Sequence, residues 1–209
     1  MPRSARKTSK TGIYHVMLRG INHQVIFADE EDGEKFLECL KASKQRKGFE
    51  LYAYCLMGNH VHLLVKEGPE NIAQAIRSLG ARYVYWYNWK YERIGHLFQD
   101  RYKSEPVEDD AYFLAVLRYI YQNPIQARLS KTVEEYRWSS YRLLGEKTTI
   151  IDHEQLFEII NQENLKQYVN EVSQTSCLEL KSKKRISDEA AAKHIKEQCK
   201  LKHVITIKN

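Results

Sequence analysis

The sequence predicts an α+β fold, a split βαβ sandwich in which helices cover an antiparallel sheet, with a helical C-terminal extension. Three observations carry this expectation. Strand-like and helix-like runs follow one another in the order β-α-β-β-α-β-α. Two of the strand-like runs are joined by the short turn Met57-Gly58-Asn59, which makes them a hairpin. The chain has 209 residues, 43% hydrophobic and 29% charged, enough for one well-cored domain with a small appendage.

Residues 13–19 (IYHVMLR) alternate and read as the first strand. Residues 29–47 read as a helix, with acids at the start, basic residues at the end and Gly48 as a stop. Phe36, Leu37 and Leu40 form its apolar stripe. Residues 50–56 (ELYAYCL) and 60–66 (HVHLLVK) are the hairpin strands. Pro69 and Asn71 open a long helix expected to run to about Arg93 and to end at Gly95. Residues 101–108 read as the fourth strand. Asp109 and Asp110 begin another helix. It is expected to stop at Asn123, because Pro124 disfavours helical geometry in the residue before it. Short helices follow in 125–172, then a polar basic linker over 173–186 and a short helix over 187–200 with Ser187 as N-cap. The expected domains are a catalytic domain over 1–145, a helical extension over 146–172 and a basic segment over 173–209.

Net charge is +6, and it is concentrated at the ends. Residues 1–28 carry +5, residues 173–209 carry +5, and the middle carries −4. Basic ends on a mildly acidic body suit a polyanionic partner, although solvated tails would look the same. No apolar run reaches the ~18–20 residues of a membrane span. The basic N-terminus lacks the apolar core of a secretory signal. Cys39, Cys55, Cys177 and Cys199 have no CxxC spacing, so a disulfide framework or zinc knuckle is not expected and a cytoplasmic location is.

Three patterns carry chemistry. In a strand, His60 and His62 point to one face and can share a metal ion, while Val61, Leu63 and Val65 pack the other way. A lone His-x-His is weak evidence, and His15 and His23 read as packing or surface histidines. In the helix 110–123, Phe113, Val116, Leu117 and Ile120 centre the apolar stripe. Tyr121 lies within about 60° of that centre and suits core packing. Tyr119 lies about 140° away, one turn before Asn123, which places it off the stripe and partly exposed. The third pattern, GHLFQDRYKS over 95–104, groups Gln99, Arg101, Tyr102 and Lys103. Arg and Lys suit phosphates and Tyr can stack on a base, but a lysine-bearing edge strand is an equally ordinary reading. Arg19 and Arg82 are further cations on a possible nucleic-acid path.

Taken in order, YHVMLRG, MGNHVHLLV, GHLFQDRYKS, RYIYQNPIQARL and YRWSSY resemble the REP-associated tyrosine transposases. These are relatives of the single-tyrosine insertion-sequence transposases within the wider HUH endonuclease group. The resemblance spans about residues 12–145. It implies a ferredoxin-like sandwich and a divalent metal, Mg²⁺ or Mn²⁺, on His60, His62 and Asn123. It also implies Tyr119 as nucleophile, the residue that the helical wheel separates from the core. The implied activity is nicking and joining of single-stranded, hairpin-forming DNA through a 5′-phosphotyrosine, by a monomer or a homodimer. Tyrosine is mostly protonated at neutral pH and needs a nearby cation; the metal is one, and Arg118 or Lys103 are others. A non-catalytic single-strand-binding protein and a water-using nuclease are the alternatives. The family often carries a C-terminal DNA-binding module, of which residues 187–209 resemble at most the first helix.

Overall fold

A computed structural model describes residues 6–99, 101–146 and 150–171. These lie within one unit spanning Met1–Leu178. The expected linker and helix beyond residue 172 lie outside the described residues. Strands β1 (Ile13–Arg19), β2 (Glu50–Met57), β3 (His60–Lys66) and β4 (Lys103–Val107) form one sheet in the order β2-β3-β1-β4. All neighbouring pairs are antiparallel. The β-α-β-β-α-β order, with this arrangement of strands, is the expected sandwich.

Alternation along the strands divides the core in two. Tyr14, Val16 and Leu18 of β1 join Val61, Leu63 and Val65 of β3 on one face. That face is covered by α1 (Glu30–Lys47) and α2 (Ile72–Lys90) through Phe36, Leu40, Ile76, Leu79 and Tyr83. Ile13, Cys55, Met57 and Leu64 face the other way, under α3 (Asp110–Gln126). Period-two burial on both faces explains why these strands read as nearly continuous apolar runs.

Local chemistry fixes the helix ends. Asp29 and Asp32 form a reciprocal capping box at the start of α1, and Gly48 closes it in the left-handed region at φ 65°. Lys90 reaches from the end of α2 to Asp29 at 2.7 Å and to the buried Asp32 at 3.0 Å, locking the two helices together. Helix α2 therefore ends at Lys90, earlier than Arg93, where its last side chains are committed to α1.

Helix α3 departs from the sequence expectation. It runs through Pro124 to Gln126 and does not stop at Asn123. A proline this close to a helix end forfeits one backbone hydrogen bond. The next amides compensate: Ala127 N–H donates to the Asn123 carbonyl at 2.9 Å, and Leu129 N–H to that of Pro124 at 2.8 Å. Pro124 is itself buried. Segment 136–143 then closes the outer edge of β2. Leu56 N–H donates to the Trp138 carbonyl at 2.9 Å, and Ser140 Oγ accepts from Tyr54 N–H at 2.9 Å. Helices α4 (Glu154–Ile159) and α5 (Gln162–Asn170) complete the α3 layer. No described helix is long and apolar enough to cross a membrane.

Candidate active site

The α3 face of the sheet carries an uninterrupted group of polar rings. His62, in the middle of β3, is 1% exposed. His60, at the start of the same strand, is half-buried, and the two imidazole centroids are 4.9 Å apart at 87°. His60 Nδ1–H donates to Asn59 Oδ1 at 2.7 Å. The Nδ1 of His62 faces Nε2 of His15 across the β1–β3 ladder at 2.9 Å.

Helix α3 lays Tyr119 over this group. Its ring centroid is 5.5 Å from His62 at 90° and 5.8 Å from His15 at 69°. One turn on, the Asn123 side chain lies near enough to His60 to act on its pKa, raising it. Asn123 Nδ2 donates to the Tyr119 carbonyl at 3.4 Å. Tyr119 is only 8% exposed, against the partly exposed position that the helical wheel predicts. The reason is that α3 is covered on two sides. The sheet meets its Tyr119–Asn123 flank, while α5 and the turn Ser140–Leu143 meet the rest. Tyr121 is fully buried, as its place near the apolar stripe predicts.

The electrostatics keep the imidazoles neutral. Burial depresses the His15 pKa to about 3. Burial, followed by the Arg19 charge, holds His60 at about 4, although the nearby Asn123 acts the other way. Burial and the neighbouring His15 and His60 hold His62 well below the usual imidazole range. Three neutral rings present lone pairs at neutral pH and carry no cluster of positive charge.

The expected nucleic-acid contacts divide among four places. Arg19 pairs in register with His60, and Lys103 lies beside Met17, the partner of His62, so both border the ring group. The Nε of Arg19 is buried without a partner, and its guanidinium contacts His23. Gln99, Arg101 and Tyr102 instead line a pocket of about 560 Å³ with Arg6, Arg77 and His96. Leu18, Ile76 and Gly80 form its apolar wall, which places it in the α1–α2 layer and away from Tyr119. The Arg6 guanidinium lies 3.9 Å over the Tyr102 ring there. Arg82 is on an outer groove of about 510 Å³ between α1 and α2, beside Tyr85 and Trp89. Arg118 turns to α5, stacking 4.1 Å from the Tyr168 ring centroid and standing 4.0 Å from Glu171.

His15 corrects the sequence reading: it is the buried partner of His62, where the sequence suggested a packing or surface residue without one. Its signal was present in IYHVMLR as a polar ring inside an apolar strand. The register that aims it at His62 was not.

A central sheet thus carries paired histidines under a tyrosine-bearing helix, with ring nitrogens and a phenol on one face. The model of the family described as "Transposase IS200 like" matches residues 8–123, and the chain belongs to that family of DNA transposases. It is 25% identical over 118 residues to a REP-associated tyrosine transposase of Haemophilus influenzae, covering 51% of this chain and 67% of that one. A REP-associated tyrosine transposase solved bound to a REP hairpin has the same fold, with a TM-score of 0.59 and 17% identity. That alignment covers 68% of this chain and 84% of the other.

Proposed function

We propose that this transposase nicks and rejoins single-stranded, hairpin-forming DNA, with Tyr119 as nucleophile beside a divalent metal on His60, His62 and Asn123. The observation that carries the reading is the placement of Tyr119 against His62, one turn from an amide near enough to His60 to raise its pKa. The donor set fits a metal. Both histidines are neutral, and both have Nδ1 engaged, His60 by Asn59 and His62 by His15, which leaves Nε2 of each as the outward donor. Among the described residues no three His, Cys, Asp or Glu side chains cluster in metal-binding geometry, so the third protein donor is the amide oxygen of Asn123. Two imidazoles and one amide oxygen do not fix the metal by softness, but they leave positions for phosphate oxygens, and that open role suits Mg²⁺ or Mn²⁺. When bound, the ion polarises the scissile phosphate.

The chain's own groups do the rest. Tyr119 Oη attacks phosphorus and gives up its proton, the P–O3′ bond breaks, and the 3′ oxygen takes up a proton and leaves as a hydroxyl. One phosphodiester has been exchanged for another, so a second 3′-hydroxyl can reverse the step and join strands. Burial of the phenol ring by α3 and the sheet fixes its approach. Arg19, with an unsatisfied buried Nε, and Lys103 border the site with positive charge for the backbone. The basic pocket of Gln99, Arg101 and Tyr102 extends the DNA path into the other layer. The REP hairpin bound by the solved relative supports a hairpin substrate.

A labelled single strand carrying a hairpin, incubated with Mg²⁺ or Mn²⁺, should give a denaturation-resistant protein–DNA band. Mass spectrometry should place the nucleotide on the peptide containing Tyr119. Cleavage with free 5′-phosphate ends and no adduct would make water the nucleophile.

A further inference from the structure

Nδ1 of His15 and Oε2 of Glu105 are, like Nε of Arg19, buried polar atoms near the ring group that have no hydrogen-bond partner. His15 and Glu105 are directly opposed across the β1–β4 ladder, and paired residues of an antiparallel ladder point to one face. We propose that His15 is a positioning residue that sets the tautomer of His62, with Glu105 as the acceptor that sets the tautomer of His15.

Each neutral imidazole has one N–H. With Nε2 of His15 only 2.9 Å from Nδ1 of His62, one nitrogen donates and the other accepts. If His15 donates, the proton of His62 sits on Nε2 and no lone pair remains for a metal. If His62 donates, its Nε2 lone pair is open, and the His15 proton must occupy Nδ1. That second arrangement buries an N–H, and His15 is 0% exposed. Leaving it unbonded would disfavour the arrangement that ligation requires. A hydrogen bond from His15 Nδ1–H to Glu105, not formed in this structure, would satisfy both orphaned atoms at once and would select the ligating tautomer of His62. His60 needs no relay, because its Nδ1–H already meets an amide oxygen on Asn59. Metal-bound histidines in general are oriented by such outer partners. Here the partner of His62 is a second imidazole, which accepts only if something else takes its proton.

The inference rests on the metal reading above, and its test separates the two. Mn²⁺ binding to the full chain is measured by calorimetry for the parent, His15→Leu, His15→Gln and Glu105→Ala, with thermal melts to confirm folding. The tautomers of His15 and His62 are read from ring-nitrogen NMR shifts of the Mg²⁺-loaded parent. His15→Leu should weaken Mn²⁺ binding by about 10–100-fold. His15→Gln should recover most of the loss, because its amide oxygen accepts from His62 without a tautomer of its own. Glu105→Ala should weaken binding in the same direction. The parent spectra should show both rings protonated at Nδ1. A folded His15→Leu with parental affinity, or a His15 ring protonated at Nε2 in the loaded parent, overturns the inference and leaves the metal reading standing. A silent Glu105→Ala beside a weakened His15→Leu overturns the part given to Glu105. If His15→Leu does not fold, the NMR tautomers and His15→Gln decide. A parent that binds no Mn²⁺ overturns the metal reading and this inference with it.

Discussion

Tyr119, the proposed nucleophile, is held at 8% exposure between a helix and a sheet, where a reacting phenol would be expected within reach of solvent. Tyr119→Phe keeps the ring packing and removes one hydroxyl. Stability should shift by about 1 kcal/mol, and the covalent adduct should vanish. Tyr121→Phe should keep most of the cleavage, and equal loss in both variants would show that the two phenols act by packing alone. The buried histidines give a second test, in chelator-treated protein. Folded His15 has its pKa depressed from 6.5 to about 3, and His60 to about 4. Between the unfolded and folded values the unfolded chain binds protons that the folded chain does not, so stability falls as pH drops below about 6.5. His15→Leu should reduce that slope by about 1.4 kcal/mol per pH unit. Urea midpoints followed over about pH 4 to 8 would show it, and parallel curves would refute it. At this scale the sequence was half legible. Period two alone puts His60 and His62 on one face, and a helical wheel separates Tyr119 from Tyr121. His15 was not legible, because its role depends on which strand lies beside β1, and no local pattern encodes that.

Elements were the most legible scale. The bounds of β1 and β3 follow from alternation, and the start and end of α1 from Asp29 and Gly48. The errors are at ends where tertiary contacts override local rules: Lys90 tied into the α1 cap, and Pro124 tolerated in a buried last turn. The strip 136–143 is a harder case, since nothing in YRWSSY announces that it will close the edge of β2. Its tightest contact gives a prediction. A Cβ on Gly33 of α1 would stand 2.6 Å from the Trp138 ring, which is wedged between α1 and the β2 edge. An indole has no flexible end to give way, so Gly33→Ala should destabilise by about 1–3 kcal/mol despite the better helix propensity of alanine. A rise in melting temperature would mean that the indole has room to move.

Across the described residues, Arg19 and Lys103 border the ring group, but a second cluster of positive charge lies away from it. The ring group lies under α3, the Arg6, Arg77 and Arg101 pocket lies in the α1–α2 layer, and residues 173–209 add +5. Arg101→Ala should weaken DNA binding and lower the log–log salt slope by about 1 if it meets one phosphate. Deleting 173–209 should lower affinity and slope further while adduct formation at saturating DNA persists, because no residue of the ring group is removed. Unchanged salt slopes in both proteins would move the DNA path elsewhere. The layering of the core was legible from composition and strand order, but this division of labour was not, because charge runs do not say which face they will occupy. His15, His60, His62, Tyr119 and Asn123 meet within a single polypeptide. Two crippled alleles, one lacking the histidines and the other the phenol, should therefore fail to rescue one another when co-expressed, and restored adduct formation would show that the phenol and the histidines work across two copies.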